Sequence, residues 1–177
     1  MEPTATVPTR RLIVLRHAKS DWDADHATDH DRPLNRRGER SARLMGVVLA
    51  RAGEAPELAV TSPARRARTT LELAIEAGGW DTEVWVDDGL YDTSVDRALQ
   101  VIAGVPAEVG RLMVVGHEPA WSSLVYRLTG GAVAVKTATA VGVDLAASGW
   151  EAVAEEDGVI AYVLSPRLFT GEAWRID

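Results

Sequence analysis

Short, uninterrupted apolar runs alternate along the chain with longer stretches in which apolar residues recur every three or four positions. That alternation predicts strands between helices in an α/β layer architecture. Leu12–Leu15 is apolar at every position, as expected of a central strand covered on both faces. After a polar segment from Ser20 to Asp31, Asn35 is placed to cap a helix running to about Arg51, with Met45, Val48, Leu49 and Ala52 as its buried stripe. Leu58–Val60 reads as a second strand. Ser62-Pro63 then reads as an N-cap and first helical residue, and Gly78-Gly79 ends that helix. Glu83–Val86 is a third strand, and Val95–Ala103 a helix with Ser94 as cap and Gly104 as stop. Leu112–Val115 is a buried strand, and Pro119–Thr129 a helix closed by Gly130-Gly131. Val141–Leu145 and Ile160–Leu164 read as two final strands joined around Ser148-Gly149. The expected domain organisation is a loose tail over residues 1–9 followed by one domain over residues 10–177.

Composition narrows this picture. The 177 residues are 46% hydrophobic and 25% charged, the balance of an ordinary globular domain able to bury its own core. Without cysteine, the chain has no disulfide, zinc–thiolate or thiol chemistry. Its net charge of −7 speaks against a general nucleic-acid binder. The apolar runs have strand length and are too short to span a bilayer, and the N-terminus lacks the apolar core of a signal peptide. A cytoplasmic protein without nucleic-acid or membrane partners is expected.

Chemistry gathers at three strand ends. The first strand ends in Arg16-His17, the second in Thr61-Ser62 ahead of Arg65-Arg66, and the fourth in Gly116-His117. Carboxyl ends of parallel strands are where α/β sheets bind ligands, so two histidines and at least two arginines should converge at one edge. A cationic site on an acidic body suits phosphoryl transfer, in which positioning and charge stabilisation dominate. Guanidinium forks bind two phosphate oxygens at once. A neutral imidazole can attack phosphorus, and a second, protonated one can donate to a non-bridging oxygen.

Leu15-Arg16-His17-Ala18, the stretch T-S-P-A-R-R-A-R-T-T at 61–70 and V-G-H-E at 115–118 together resemble the three signatures of the histidine phosphatase, or phosphoglycerate mutase-like, superfamily. The resemblance runs from about Arg11 to Leu164. Lys19-Ser20, Arg32-Pro33-Leu34 and S-P-x-x-R-A at 62–67 are most similar to the SixA group of phosphohistidine phosphatases. It implies a three-layer α/β/α sandwich with a mostly parallel sheet, and no cofactor or metal. It further implies His17 as nucleophile, Arg16 and Arg66 as phosphoryl ligands and His117 completing the pocket. Arg66 is preferred to Arg65 because it directly precedes the small residue Ala67. Two departures stand out. Ala18 replaces the family's glycine, and Leu90-Tyr91-Asp92 stands where many relatives carry the glutamate proton donor, making the shorter Asp92 the candidate.

Arg32 and Lys19 are further candidate phosphate ligands, and Trp22 a residue at the site's edge; the other tryptophans are expected to pack. The acidic, histidine-containing stretch 21–31 offers no ligand spacing on a helix or strand, and reads as a solvated loop beside the pocket rather than a metal site. A shortened proton donor and little room for capping insertions favour phosphohistidine on a protein over small phosphate esters, because a protonated imidazole is the better leaving group. The alternatives are a phosphatase of small phosphorylated metabolites and a non-catalytic phospho-ligand binding module.

Overall fold

A computed structural model describes residues 9–169. The apolar run at the start forms β1 (Thr9–Arg16), and its alternate residues serve two different cores. Leu12 and Val14 face one side, Ile13 and Leu15 the other, and all four are fully buried. Their run is unbroken by polar residues because helices cover both faces. On the Ile13 side lie α1 (Arg36–Arg51) and α2 (Arg65–Gly78), through Met45, Leu49, Leu71 and Ala74. On the Leu12 side lie α3 (Val95–Ala103) and α4 (Ala120–Thr129), through Leu99, Ile102, Trp121 and Leu124.

With β2 (Leu58–Thr61), β3 (Glu83–Val86), β4 (Arg111–Gly116), β5 (Ala140–Ala146) and β6 (Gly158–Leu164), β1 forms one six-stranded sheet in the order β3-β2-β4-β1-β5-β6. β1 to β4 run parallel; β5 is antiparallel to β1, and β6 to β5. The result is the expected three-layer α/β/α sandwich with a mostly parallel sheet. Register decides where the chemistry falls. Arg16 pairs with Gly116, and Thr61 with Val115, so the three motif-bearing strands β2, β4 and β1 end side by side.

Local signals account for most element ends. Asn35 caps α1 by accepting from the Gly38 N–H, and Ser94 caps α3 by accepting from the Arg97 N–H. Gly79 and Gly130 end α2 and α4 in the left-handed conformation. Two glycines permit close approach. A side chain on Gly46 would run into the Ala74 carbonyl where α1 crosses α2, and one on Gly38 into the Lys19 carbonyl, which seats α1 against the loop after His17.

Four expectations shift. Ala52 is exposed beyond the last turn of α1 rather than part of its buried stripe. Ser62 does not cap a helix opening at Pro63; α2 begins at Arg65, after Ala64, and the hydroxyl is used in the site instead. Thr9 is already the first residue of β1, so the tail expected over residues 1–9 otherwise lies outside the described residues. Trp80, Trp121 and Trp150 pack, whereas Trp85 on edge strand β3 is partly exposed, and Trp174 lies outside the described residues. Among the described residues, no helix is long and apolar enough to cross a membrane.

Candidate active site

His17 continues the ladder one residue past β1, its N–H donating to the Gly116 carbonyl at 3.0 Å. That bond fixes the backbone, and a second fixes the ring. Nδ1–H donates to the Ala18 carbonyl at 2.7 Å, so the proton sits on Nδ1 and the lone pair on Nε2. The ring is 7% exposed. Burial, reinforced by the charges of His117, Arg66 and Arg16, outweighs the Ala18 hydrogen bond and pushes the pKa down to about 3. His17 is therefore a neutral imidazole with a defined tautomer. Arg16 donates from Nη1 to the Val135 carbonyl at 3.1 Å, while its Nε is buried without a hydrogen-bond partner among the described residues.

Arg66 enters from the first turn of α2 and is buried, whereas Arg65 and Arg68 on the same turn are exposed. Spacing on the helix makes the choice, since of the three only Arg66 is buried, with its guanidinium on Asp29. Thr70, one turn on, links it to the His17 loop: its hydroxyl donates to the Arg66 carbonyl at 2.6 Å and accepts from the Ala18 N–H at 2.9 Å. His117 follows β4 and lies 5.0 Å from the His17 ring, centroid to centroid. Its Nε2 shares a 2.8 Å hydrogen bond with Ser62 Oγ, which also accepts from the Ala64 N–H. Burial first, then the Arg66 charge, lowers its pKa to about 4, although Asp29 opposes the shift. Arg66 Nε and His117 Nδ1, like Arg16 Nε, are buried without partners among the described residues.

The polar stretch after β1 contributes more than was legible in it. Ser20 bridges to Leu34, and residues Asp29–Asp31 form a short 3-10 turn. Asp29 is half exposed, but both of its carboxylate oxygens turn to neighbouring side chains of the site. Its Oδ1 accepts from Arg32 Nη2 at 2.8 Å and from Nε at 3.2 Å; its Oδ2 accepts from Arg66 Nη2 at 3.0 Å and from the Tyr91 hydroxyl at 3.3 Å. Its main-chain carbonyl accepts from Arg66 Nη1 at 2.6 Å. Burial alone would raise the Asp29 pKa, but hydrogen bonds from and charges on Arg32 and Arg66 hold it below the usual carboxylate range. Arg32 is buried, bonded also to Ser20 Oγ, with its guanidinium 3.5 Å from the ring centre of Trp22, which is itself largely exposed.

A cavity of about 340 Å³ opens beside these groups, lined by Arg66, His117, Asp29, Tyr91, Asp92 and Glu118 among others. Asp92, in the left-handed region with φ of 49°, is exposed at this lining. Lys19 is exposed and outside the lining; its main chain, not its side chain, meets the helix after it, accepting from the Asn35 N–H. The structure thus brings together Arg16, His17, Arg66 and His117, sets Arg32 behind Asp29, and leaves Lys19 apart. Asp29 and Tyr91 also belong to this group, although no sequence motif marks them. The one available signal was Asp29 three residues ahead of Arg32, which permits an ion pair across a single turn.

The family model of the histidine phosphatase superfamily (branch 1) matches residues 12–98, a span that holds Arg16, His17, Arg32, Arg66 and Asp92. The solved structure of a SixA protein from Nakamurella multipartitia superposes with a TM-score of 0.77 at 29% identity, covering 89% of this chain and 96% of that one. The chain belongs to the histidine phosphatase superfamily. The protein histidine phosphatase SixA, solved in complex with tungstate, superposes equally well, with a TM-score of 0.77 at 25% identity over 89% of this chain and 98% of that one. An uncharacterised chloroplastic protein of Arabidopsis thaliana is 31% identical over 156 residues, 83% of this chain and 72% of that protein. These likenesses support a phosphatase hydrolase of the phosphoglycerate mutase-like fold.

Proposed function

We propose that this histidine phosphatase acts through a phosphohistidine intermediate on His17 and removes phosphoryl groups from phosphohistidine carried by a protein. The observation that carries the reading is the orientation of His17. With Nδ1–H held by Ala18, the Nε2 lone pair stands free of any proton above about pH 3. Nε2 attacks phosphorus, the bond from phosphorus to the substrate nitrogen breaks, and the electron pair leaves with the substrate imidazole, which takes up a proton. Water then attacks the phosphoryl group on Nε2, releasing phosphate and restoring the neutral ring. Arg16 and Arg66 donate to the equatorial oxygens, and His117, neutral with Nε2 accepting from the Ser62 hydroxyl, donates from Nδ1–H to a third. Tungstate, a tetrahedral oxyanion, is the ligand in the complex of the SixA relative, in keeping with a pocket built for phosphate.

The leaving group decides the substrate class. Asp29, the carboxylate most closely tied to the clamp, is kept ionised by two arginines and cannot serve as a proton donor near neutral pH. A phosphoramidate tolerates that lack better than an ester, because imidazole leaves readily once protonated. The second reading, a phosphatase of small phosphate esters, draws on Asp92 and Glu118, carboxylates that line the same cavity. One panel separates the two: phosphohistidine proteins and small phosphate esters are assayed in parallel, with label trapped by rapid quenching. Acid-labile, base-stable label on His17, lost in His17→Ala, together with the higher kcat/KM on phosphohistidine proteins, is the expected result. Turnover by His17→Ala without trapped label rejects the nucleophile; faster ester hydrolysis rejects the substrate class.

A further inference from the structure

The clamp described above contains a charge that the proposed reaction does not use. Arg66 and Arg32 are both about 5% exposed, and both turn toward one carboxylate that the 21–31 loop delivers to them. Guanidinium groups that meet with so little water need a counter-charge, or their burial and mutual repulsion would force one of them outward. Asp29 supplies it. It takes two N–H groups of Arg32 on Oδ1, one of Arg66 on Oδ2, and a further one of Arg66 on its main-chain carbonyl. These contacts take one N–H from each terminal nitrogen of Arg66 and leave the second N–H of each, together with Nε, which is buried and unpartnered among the described residues, as donors not committed to Asp29. The orientation of Arg66 is thus set before any substrate arrives.

We propose that Asp29 is the built-in counter-ion of the phosphate clamp: it positions Arg66 and Arg32 for a phosphorylated substrate, and its negative charge limits how tightly the site retains free phosphate. The proposal rests on the phosphatase reading and adds to it a positioning residue with a charge of its own. Two effects of Asp29 therefore pull in opposite directions. Its oxygens orient the donors and so favour turnover. Its charge stands beside the bound anion, destabilises the product complex and speeds phosphate release. A side chain whose only role was to hold the loop would show the first effect without the second.

Asp29→Asn and Asp29→Ala separate them. The asparagine substitution removes the charge and keeps one acceptor oxygen, while the alanine substitution removes both; the main-chain carbonyl contact to Arg66 remains in each. Inorganic phosphate is titrated calorimetrically into the full-length wild-type protein and both variants, at low and at high salt, and kcat is measured on whichever phosphorylated substrate the panel identifies. The expectation is that Asp29→Asn binds phosphate about tenfold more tightly than wild type at low salt, with the gain shrinking as salt screens it. The kcat of Asp29→Asn should be intermediate, with Asp29→Ala lowest because Arg66 then lacks its side-chain anchor. Phosphate affinity that is unchanged or weaker in Asp29→Asn, or equal kcat losses in both variants, overturns the counter-ion. A protein that binds no phosphate in any form overturns the reading of the site itself, which keeps the two failures apart. Loss of folded protein is checked by circular dichroism. Should either variant unfold, phosphate must restore its folding more effectively than sodium chloride of equal ionic strength, since the anion replaces the missing charge; equal restoration overturns the proposal.

Discussion

Two hydrogen bonds and a burial make His17 fit for the nucleophilic role proposed for it. Ala18 supplies the carbonyl that holds the proton on Nδ1, and its own N–H is held in turn by Thr70. The hydroxyl of Thr70 also donates to the carbonyl of Arg66, so a single side chain ties the loop of His17 to the turn that carries Arg66. Thr70→Val keeps the branched shape and removes both bonds. Stability should fall by about 1–2 kcal/mol, the cost of leaving the buried Ala18 N–H unpaired. Activity should fall further than stability suggests, with kcat/KM down about tenfold, because small misplacement of reacting groups is costly. Steady-state kinetics and urea unfolding on the same preparation test this; a variant with wild-type kcat/KM would remove Thr70 from the positioning of the site. At this scale the sequence was readable where a motif joined chemistry to a strand end, as with His17, Arg66 and His117. It was not readable at Asp29, one of several aspartates in a polar loop, because only folding brings that one against Arg66. Ser62 misled for a similar reason. A Ser-Pro pair suits a helix cap, but its hydroxyl faces His117 across the strand ends.

Elements succeed or fail by how their faces are covered. The runs in β1, β2 and β4 were legible because helices bury both faces, whereas β3 is exposed along its length as an edge strand and kept its identity only through Val84, Trp85 and Val86. Helix ends were legible at Asn35, Ser94, Gly79 and Gly130, where one residue type satisfies one geometric need. What spacing did not reveal is how closely α1 and α2 cross. Gly46 meets Ala74 with no space for a side chain. Gly46→Ala makes the point measurable. Helix propensity alone predicts a gain of about 1 kcal/mol. Overpacking against the Ala74 backbone predicts a loss of about 1–3 kcal/mol. A loss is expected in thermal or urea unfolding, and a gain would mean that the two helices separate freely. Their separation would reach the site, since α2 carries Arg66 and Thr70 while the start of α1 rests on Lys19.

For the whole molecule, the same burial that activates the histidines makes folding depend on pH. His17 and His117 are held at about 3 and about 4, below the ordinary value near 6.5 that an unfolded chain would show. Between those limits the unfolded state binds more protons than the folded one, so stability rises with pH through the window. The contribution of the pair is fully present above about pH 6.5 and is lost as pH falls toward about 3. Carboxylates elsewhere add slopes of their own in this range, so the histidine share is isolated by difference. The urea midpoint of His17→Asn, measured from pH 4 to pH 7, should decline less on acidification than that of wild type; parallel curves would mean that His17 is not buried as a neutral ring. A bound oxyanion should act against the trend. It favours the protonated forms of both rings, but phosphate itself gains a proton near pH 7, so sulfate, which stays doubly charged, is the cleaner probe: its stabilising effect should grow as pH falls from about 7 toward about 4. The cationic clamp, poised on an acidic chain and balanced in part by Asp29, then has its charge completed by the ligand rather than by the fold alone.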